Sequence, residues 1–279
     1  MKGMKWKNRG KPVVIVITII LLLFLLFPFF VMISTMLKSN AEAYAIPPRW
    51  IPEKFVFTNF IKVWSQYELI VYFKSSLIIA IGATIINTLL TVPAAYAVAR
   101  LRFVGRGFIL YLFLVIQMFS PVIVVISLFK IMAGIGLLDT YISLILAISV
   151  FTIAFTIWMM NGYFKSIPKE IEEAALIDGC SRVQTITRVM LPIAVPGLVT
   201  AMIYTFIYAW NEFLFGLSFI QSKPKMPLTI ALYNFVGRWS TQWEMLTTAA
   251  FLAIIPVLVL FYIIEKRLVA GLAGGAVKE

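Results

Sequence analysis

Few residues in this sequence have side chains that could carry out chemistry. The chain contains no histidine and a single cysteine, Cys180. A disulfide within the chain and a zinc site built from cysteine and histidine are therefore excluded. The apolar segments hold no pair of aspartates and no nucleophile beside a base, which disfavours an intramembrane enzyme. We predict no catalytic residue and no metal site.

A binding site for ATP is also missing from the sequence. The phosphate-binding loop of many ATPases reads Gly, four residues, Gly, Lys and then Ser or Thr, because its backbone N–H groups hold the phosphates. This pattern does not occur in the 279 residues. We therefore expect this chain to bind no cofactor.

One carboxylate lies near the middle of an apolar segment. This residue, Glu212, follows Asn211 in the fifth such segment. In a proton- or ion-coupled carrier an acid at this depth would be a prime candidate for the coupling group. A role in capping a helix or in pairing with a partner is the interpretation we favour.

The most informative polar stretch runs over residues 163–192, between two apolar segments. Pro168 suits the first position of a helix, and the carboxylates of Glu170, Glu172 and Glu173 would then lie near its positive end. Gly179 suits the end of that helix because glycine adopts the left-handed conformation easily.

A second helix is predicted to follow in the same stretch. Ser181 and Gln184 have the spacing of a capping box, and Pro192 begins the return to the next apolar segment. The sequence therefore predicts two short helices folded on each other at one membrane surface.

One face of the first short helix carries small residues. Ile171, Ala174, Ala175 and Asp178 fall on the same side at helical spacing. Small side chains would let another protein approach closely. Packing of Ala174 and Ala175 against the chain's own helices is an equally good interpretation of the spacing alone.

Six apolar segments must position these residues. Hydrophobic side chains make up 62% of the chain and charged ones 13%, a composition unlike that of soluble domains. The first segment would reach about 36 Å as a helix, more than the roughly 30 Å hydrocarbon core, and it is too long for a signal-peptide core. We expect it to be an uncleaved span. The segments are Val13–Met36, Ser75–Ala99, Phe108–Phe129, Tyr141–Met160, Ile193–Phe219 and Met245–Ile264.

The distribution of basic residues predicts the orientation. The net charge is +12, but the basic residues lie at the ends of apolar segments, which argues against a nucleic-acid partner. One membrane side receives Lys2, Lys5, Lys7, Arg9, Lys11, Arg100, Arg102, Arg106, Lys165, Lys169, Arg182, Arg188, Lys266, Arg267 and Lys278. The positive-inside rule makes this side cytoplasmic.

These patterns together predict an all-α polytopic membrane protein with six transmembrane helices and both termini in the cytoplasm. A short cytoplasmic segment, residues 1–12, precedes one transmembrane domain, residues 13–279. Loops 37–74 and 220–244 would face outwards. The loop 163–192 and a tail, residues 265–279, would lie inside.

The loop 163–192 resembles the EAA motif of ABC importer permeases. The resemblance rests on Glu173-Ala174-Ala175, then Gly179, then Leu191-Pro192 at the family's spacing. Val189 stands where the family has isoleucine. In that family the EAA loop seats in a cleft of the ATP-hydrolysing subunit. The resemblance therefore assigns ATPase coupling to Glu173, Ala174, Ala175, Asp178, Gly179, Leu191 and Pro192.

Nearly the whole chain resembles the maltose-transporter type of carbohydrate permease, and in particular its MalG-like subunit. Three further stretches carry this resemblance: Pro48–Pro52 before Thr58-Asn59-Phe60, Trp210–Phe213, and the tail Gly271–Lys278. It implies the type I ABC importer permease fold in a bacterial or archaeal cytoplasmic membrane. The implied partners are membrane lipid, a second permease subunit, two ATPase subunits that hold ATP and Mg, and an extracytoplasmic solute-binding protein. Alternating access driven by ATP would then move the solute.

Polar and aromatic residues inside the spans are the candidates for a substrate path. Such residues usually face a cavity or another helix. Aromatic faces beside hydrogen-bonding groups suit a sugar. The candidates are Asn87, Gln117, Ser120, Asn161, Tyr204, Tyr208, Trp210, Asn211 and Glu212.

Two alternative functions stay open. An ABC importer of glycerol phosphate or a polyamine would have the same fold and the same loop. A stand-alone secondary carrier would have no reason for the EAA-like stretch and would usually carry more charge within the membrane.

Overall fold

The computed structural model describes residues 11–237 and 240–276, and these are almost entirely helical. An isolated antiparallel bridge joins Val236 and Thr241. Some residues used in the predictions lie outside the described part of the chain. They are the basic residues up to Arg9, Trp239 of the loop 220–244, and Lys278 of the tail.

Fourteen α-helices, one π-helix and one 3-10 helix are present in the described part of the chain. In chain order they are α1 (Lys11–Met36), α2 (Asn40–Ala43), α3 (Thr58–Ser65), α4 (Leu69–Arg100), α5 (Arg106–Gln117), α6 (Pro121–Gly134), α7 (Tyr141–Ser166), α8 (Lys169–Ile177), α9 (Arg182–Gln184), the π-helix (Thr185–Met190), α10 (Leu191–Ile193), α11 (Val195–Trp210), α12 (Leu214–Phe219), the 3-10 helix (Lys223–Lys225), α13 (Leu228–Tyr233) and α14 (Trp243–Ala276).

Four of these helices are long and apolar enough to cross a membrane: Pro12–Met36 within α1, α4, α7 and Trp243–Ile263 within α14. Two bent pairs raise the count to six if each pair is one span. The chain bends by 101° between α5 and α6. It bends by 86° between the segment Arg182–Ile193 and α11. The predicted third span is therefore bent rather than straight, and the 86° bend lies at the start of the predicted fifth span, where the loop 163–192 ends.

Proline explains the first of these bends. Pro121 begins α6, and Ser120 before it is extended with φ −70° and ψ 133°, because a residue that precedes proline is pushed out of the helical region. The second bend lies at Ala194, which has φ −85° and ψ 7° and is followed by Val195 and Pro196 at the start of α11. Pro93, in contrast, lies inside the continuous helix α4. The position of a proline in an apolar segment therefore does not by itself predict a break.

The described chain forms two compact units. The first comprises residues up to 69 together with 232–254. Its centre is Asn59, whose buried amide donates to the carbonyl oxygens of Met36 and Lys38, each at 2.9 Å. The phenol of Tyr67 donates to Gln242 at 2.7 Å. The Asn59 bonds hold α3 at the end of α1, and the Tyr67 bond ties the loop 37–74 to the residue before α14.

The second unit comprises residues 70–231 and 255–276, and a buried polar network joins two of its helices. The Asn87 amide of α4 donates to Thr152 of α7 at 2.7 Å. Thr91 and Thr156 donate to the Asn87 carbonyl oxygen, each at 2.9 Å. Such bonds hold helices together where lipid provides no hydrophobic gain for their association.

Below this network the same helices enclose an apolar core. Its fully or nearly fully buried members include Ala95 and Tyr96 of α4, Met160 and Phe164 of α7, and Met190 of the π-helix. The core therefore extends from the spans into the loop 163–192.

Asp139, in the turn between α6 and α7, ties that turn to residues 221–225. Its carboxylate accepts from the backbone N–H groups of Gln221 at 3.0 Å and Ser222 at 2.9 Å, from the Ser222 hydroxyl, and from the Lys225 ammonium at 3.2 Å. The Ser222 bonds are the main reason that the pKa of Asp139 lies well below its usual range.

The lowered pKa of Asp139 predicts that this turn loses stability in acid. The stabilisation is complete above the unfolded pKa, near 4, and decreases as the pH falls towards the lower folded pKa. In purified protein, Asp139→Asn should lower the melting temperature at pH 7 and weaken its fall between pH 5 and pH 3. Glu53→Gln, at an exposed carboxylate paired with Arg49, is the matched control. If the melting temperatures of wild type and Asp139→Asn fell by the same amount as the pH was lowered, this account would be contradicted.

Candidate functional site: a two-helix loop and a tyrosine-lined groove

The first helix of the loop 163–192 begins one residue later than predicted. Pro168 is its N-cap with φ −55° and ψ 141°, and Lys169 is the first helical residue. Glu170 and Glu172 lie in the first turn, where the helix dipole favours carboxylates.

The helix ends at Gly179 as predicted. Gly179 has φ +86°, and its N–H donates to Leu176 while that of Cys180 donates to Ala175 at 3.0 Å. This pair of bonds is a Schellman motif, which requires a left-handed residue. A Cβ on Gly179 would meet no atom within 4 Å, so the backbone conformation, rather than space, favours glycine here.

The second helix starts with the predicted capping box and then departs from the prediction. The Ser181 hydroxyl accepts from the Gln184 N–H at 3.3 Å, and the Gln184 side chain accepts from the Ser181 N–H at 2.8 Å. After α9 the chain widens into the π-helix Thr185–Met190 before α10. π-Helical turns are rare and occur frequently at functional sites.

The predicted face of α8 is divided between solvent and protein. Ala175 is buried, whereas Ile171, Ala174 and Asp178 are exposed. Of the other predicted coupling residues, Glu173, Gly179 and Pro192 are exposed and Leu191 is half-buried. Ala175 therefore packs against the protein's own helices, whereas Ala174 is exposed, and docking of another protein at Ala174 stays a prediction.

A buried ion pair that sequence reasoning missed fixes α8 to α4. The Glu172 carboxylate lies 3.1 Å from the Arg100 guanidinium and accepts from the Tyr96 phenol at 2.5 Å. In the sequence, Arg100 is notable only as one of the basic residues that predict the orientation. The spacing of Tyr96 and Arg100, one turn apart at the end of a span, is the available sequence signal for such a partner.

Three of the candidate path residues are enclosed by protein. Asn87 belongs to the network between α4 and α7, so it joins helices. Trp210 is buried between Phe73 and Phe206, with ring centroids at 5.5 and 5.9 Å. Asn161 is buried as well, and its side-chain oxygen has no hydrogen-bond partner among the described residues. It borders a small groove with Trp158 and Tyr163.

Other candidates come together at the end of α11. A groove of about 410 Å³ is lined by Tyr204, Ile207, Tyr208, Asn211 and Glu212. Gln117 reaches the Tyr204 hydroxyl at 3.5 Å, and the Phe155 ring lies 4.4 Å from that of Tyr204. Ser120, three residues after Gln117 in the sequence, is exposed. The groove thus combines aromatic faces with amide and hydroxyl groups.

Glu212 adopts the capping arrangement favoured from the sequence. Its carboxylate accepts from the N–H of Phe215, in the first turn of α12, at 2.5 Å. Thr229 donates to its backbone carbonyl oxygen at 2.6 Å. The side chain is therefore occupied in holding the start of α12.

No group of three or more His, Cys, Asp or Glu residues that could hold a metal ion occurs in the described part of the chain. The candidate site consists instead of the exposed face of α8 and the tyrosine-lined groove on α11.

A family model described as binding-protein-dependent transport system inner membrane component matches residues 88–273. The match includes the loop 163–192 and both sides of the groove. The chain belongs to this family. It is thus an ABC transporter permease and a multi-pass membrane protein, as the EAA-like loop indicated.

Individual proteins of the family cover nearly the whole chain. The inner membrane ABC transporter permease protein YcjP of Escherichia coli (strain K12) is 33% identical over 255 residues, which are 91% of each chain. The trehalose/maltose transport system permease protein MalG of Thermococcus litoralis is 33% identical over 257 residues, also 91% of each chain. The MalG-type resemblance inferred from the sequence is confirmed.

A solved structure confirms the fold. A chain of a bacterial ABC transporter involved in the import of the acidic polysaccharide alginate superposes with a TM-score of 0.82. The superposition covers 95% of this chain and 99% of that one, at 22% identity. The ABC importer permease fold therefore accommodates both bent helix pairs.

The capping contact of Glu212 generates a prediction for stability. Glu212→Gln keeps an oxygen that can accept from Phe215, whereas Glu212→Leu leaves the first N–H groups of α12 unsatisfied at a buried position. The leucine variant should melt at a lower temperature than the glutamine variant. Its free energy of unfolding should be lower by about 1–2 kcal/mol. Thermal unfolding in detergent micelles measures this. Equal melting temperatures for the two variants would argue against the cap.

Proposed function

We propose that this permease is the membrane-spanning subunit of an ATP-driven importer of a sugar or oligosaccharide, and that the loop 163–192 docks on a separate ATPase. The exposed acidic and small-residue face of α8 is the observation that carries the proposal. A surface of Glu173, Ala174, Asp178 and Gly179 can be approached closely by another protein.

The chain itself is expected to hydrolyse nothing. Since the sequence has no phosphate-binding loop, ATP and Mg belong in the partner ATPase subunits. Work done there has to reach the spans through a protein contact. Closure of an ATPase pair would draw two such loops together and switch the spans between inward- and outward-open states.

The orientation follows from charge. The positive-inside rule puts the loop 163–192 and both termini in the cytoplasm, where ATP is available. The loops 37–74 and 220–244 then face outwards, towards a solute-binding protein, as the family's description suggests.

A second permease subunit would cover part of the apolar surface of α1. None of the most apolar window of α1 is buried within this chain. Some of this surface contacts lipid, and some is available to a partner subunit across a central pathway.

The groove on α11 favours a neutral sugar over the other solutes considered. Tyr204 and Tyr208 offer ring faces for the C–H patches of a sugar, and Asn211 offers an amide for its hydroxyls. The lining holds no lysine or arginine to bind a phosphate ester, and the Glu212 carboxylate that could attract a polyamine is engaged by α12. The trehalose/maltose permease among the relatives agrees with this choice.

Docking at α8 predicts a position-specific effect of charge at Gly179. Gly179→Asp should abolish co-purification of the ATPase, or uncouple it, while the spans remain inserted. Gly136→Asp is the matched control, because Gly136 also has a positive φ of +70° and an open Cβ position but follows α6, at the opposite membrane surface. Pull-down of the ATPase from membranes measures the effect. Full ATPase retention and uptake in Gly179→Asp would contradict docking at this site.

A sugar path along α11 predicts an effect on apparent affinity. Tyr204→Ala should raise the transport KM for radiolabelled maltose or trehalose about threefold to tenfold, since aromatic contacts contribute about 0.5–1.5 kcal/mol. Tyr204→Phe keeps the ring and should change KM less. Proteoliposomes that contain the complete importer provide the assay. If glycerol 3-phosphate or spermidine inhibited uptake of the labelled sugar while unlabelled maltose and trehalose did not compete with it, one of the alternative solutes would be favoured instead.

A further inference from the structure

The contact between α8 and α4 is a buried charged cluster. Within the described chain the side chain of Arg100 is 5% exposed and that of Glu172 10%. The Tyr96 phenol completes the cluster through its 2.5 Å bond to Glu172. The guanidinium of Arg182, from α9, also lies beside Tyr96. Both helical parts of the loop therefore meet at the end of α4.

Arg100 binds a third helix as well. Its guanidinium donates to the backbone carbonyl oxygen of Ile167 at 2.5 Å, directly after the end of α7. A single side chain thus links α4, the end of α7 and α8.

The burial of these charges makes the link hard to separate. An ion removed from water is stable only beside its partner, and removal of one partner leaves an uncompensated charge inside the protein. A sliding motion of α8 over α4 would separate Glu172 from Arg100 and would carry this cost. The cluster therefore resists relative motion more strongly than apolar packing does.

The linked helices are also held together within the spans. The Asn87 network joins α4 to α7, and the Tyr96 and Phe164 rings meet edge to face at 6.1 Å. Any displacement of α8 is therefore passed to two long helices at the same time.

We propose that Arg100, Tyr96 and Glu172 are positioning residues that make α8, α4 and α7 move as one body when the ATPase acts on the loop. This inference rests on the proposed function, since it supplies the mechanical connection for that coupling. The residues face away from the docking surface, because Glu172 and Ala175 point inwards while Glu173 and Ala174 stay exposed.

The first test is the number of solute molecules transported per ATP hydrolysed, in proteoliposomes of the complete importer with maltose or trehalose as the probe. Glu172→Gln removes the charge that pairs with Arg100 but keeps an acceptor for Tyr96, and it leaves the exposed face unchanged. We expect the ATPase to stay bound and active while the ratio falls roughly tenfold, a typical size for coupling between two sites. Glu170→Gln, an exposed acid in the same turn, is the matched control and should leave the ratio unchanged.

A merely structural role for the pair gives a different result. It would reduce the amount of assembled transporter but leave the ratio per assembled complex at the wild-type value, and that outcome would overturn the proposal. If the ATPase fails to co-purify with the unaltered chain, the proposed function itself fails, and this is settled before any variant is made.

A second test measures the distance between α8 and α4 while the ion pair is intact. Its main result therefore does not depend on the folding of a weakened variant. The chain has one cysteine, so Cys180→Ser allows spin labels to be placed at Lys169→Cys on α8 and Leu89→Cys on α4, both exposed positions. Electron–electron distance measurements on the complete importer should give the same distance without nucleotide and with ATP. Addition of Glu172→Gln should broaden that distribution. A distance that shifts between nucleotide states with the pair intact would overturn the proposal.

Discussion

The buried polar contacts between α4 and α7 are the constraint on which the rest of the structure depends. Lipid chains are as apolar as the helix surfaces, so two spans gain little from hydrophobic contact and rely on close packing and hydrogen bonds. Asn87 and its threonine partners provide such bonds at the middle of the pair. Close approach provides the packing, as at Gly197 of α11, where a Cβ would meet the Tyr163 ring of α7 at 2.3 Å. The groove and the two-helix loop are both built on this group of helices.

The proposed function assigns two separate tasks to this permease. The groove presents aromatic and polar groups where α11 ends, whereas α8 presents a small acidic face at the other end of the same helical unit. The helices between them provide rigidity, and the Glu172–Arg100 pair lies where that rigidity passes into the loop. Because the exposed and buried residues of α8 lie on different sides of one short helix, the proposed contact with a partner would not use the side chains that attach α8 to the spans.

Local patterns predicted much of this architecture. The left-handed stop at Gly179 and the Ser181–Gln184 capping box depend on residues close in sequence, and each was correct. Of the six predicted spans, the first, second, fourth and sixth are present as long helices in the described part of the chain, whereas the third is bent. The prolines did not show which segments break, because Pro93 is accommodated and Pro121 is not. Contacts between distant residues were also invisible. Arg100 and Glu172 lie on separate helices, and the inward direction of Trp210 depends on Phe73, so neither follows from helical spacing.

The most direct test of the account is transport by the reconstituted permease pair with and without its ATPase. Proteoliposomes that contain both permease subunits, the binding protein and the ATPase should accumulate labelled maltose or trehalose when ATP is supplied to the ATPase side. The same vesicles without the ATPase should accumulate none, because nothing would then act on α8. Solute movement at the full rate in the absence of the ATPase would contradict the account.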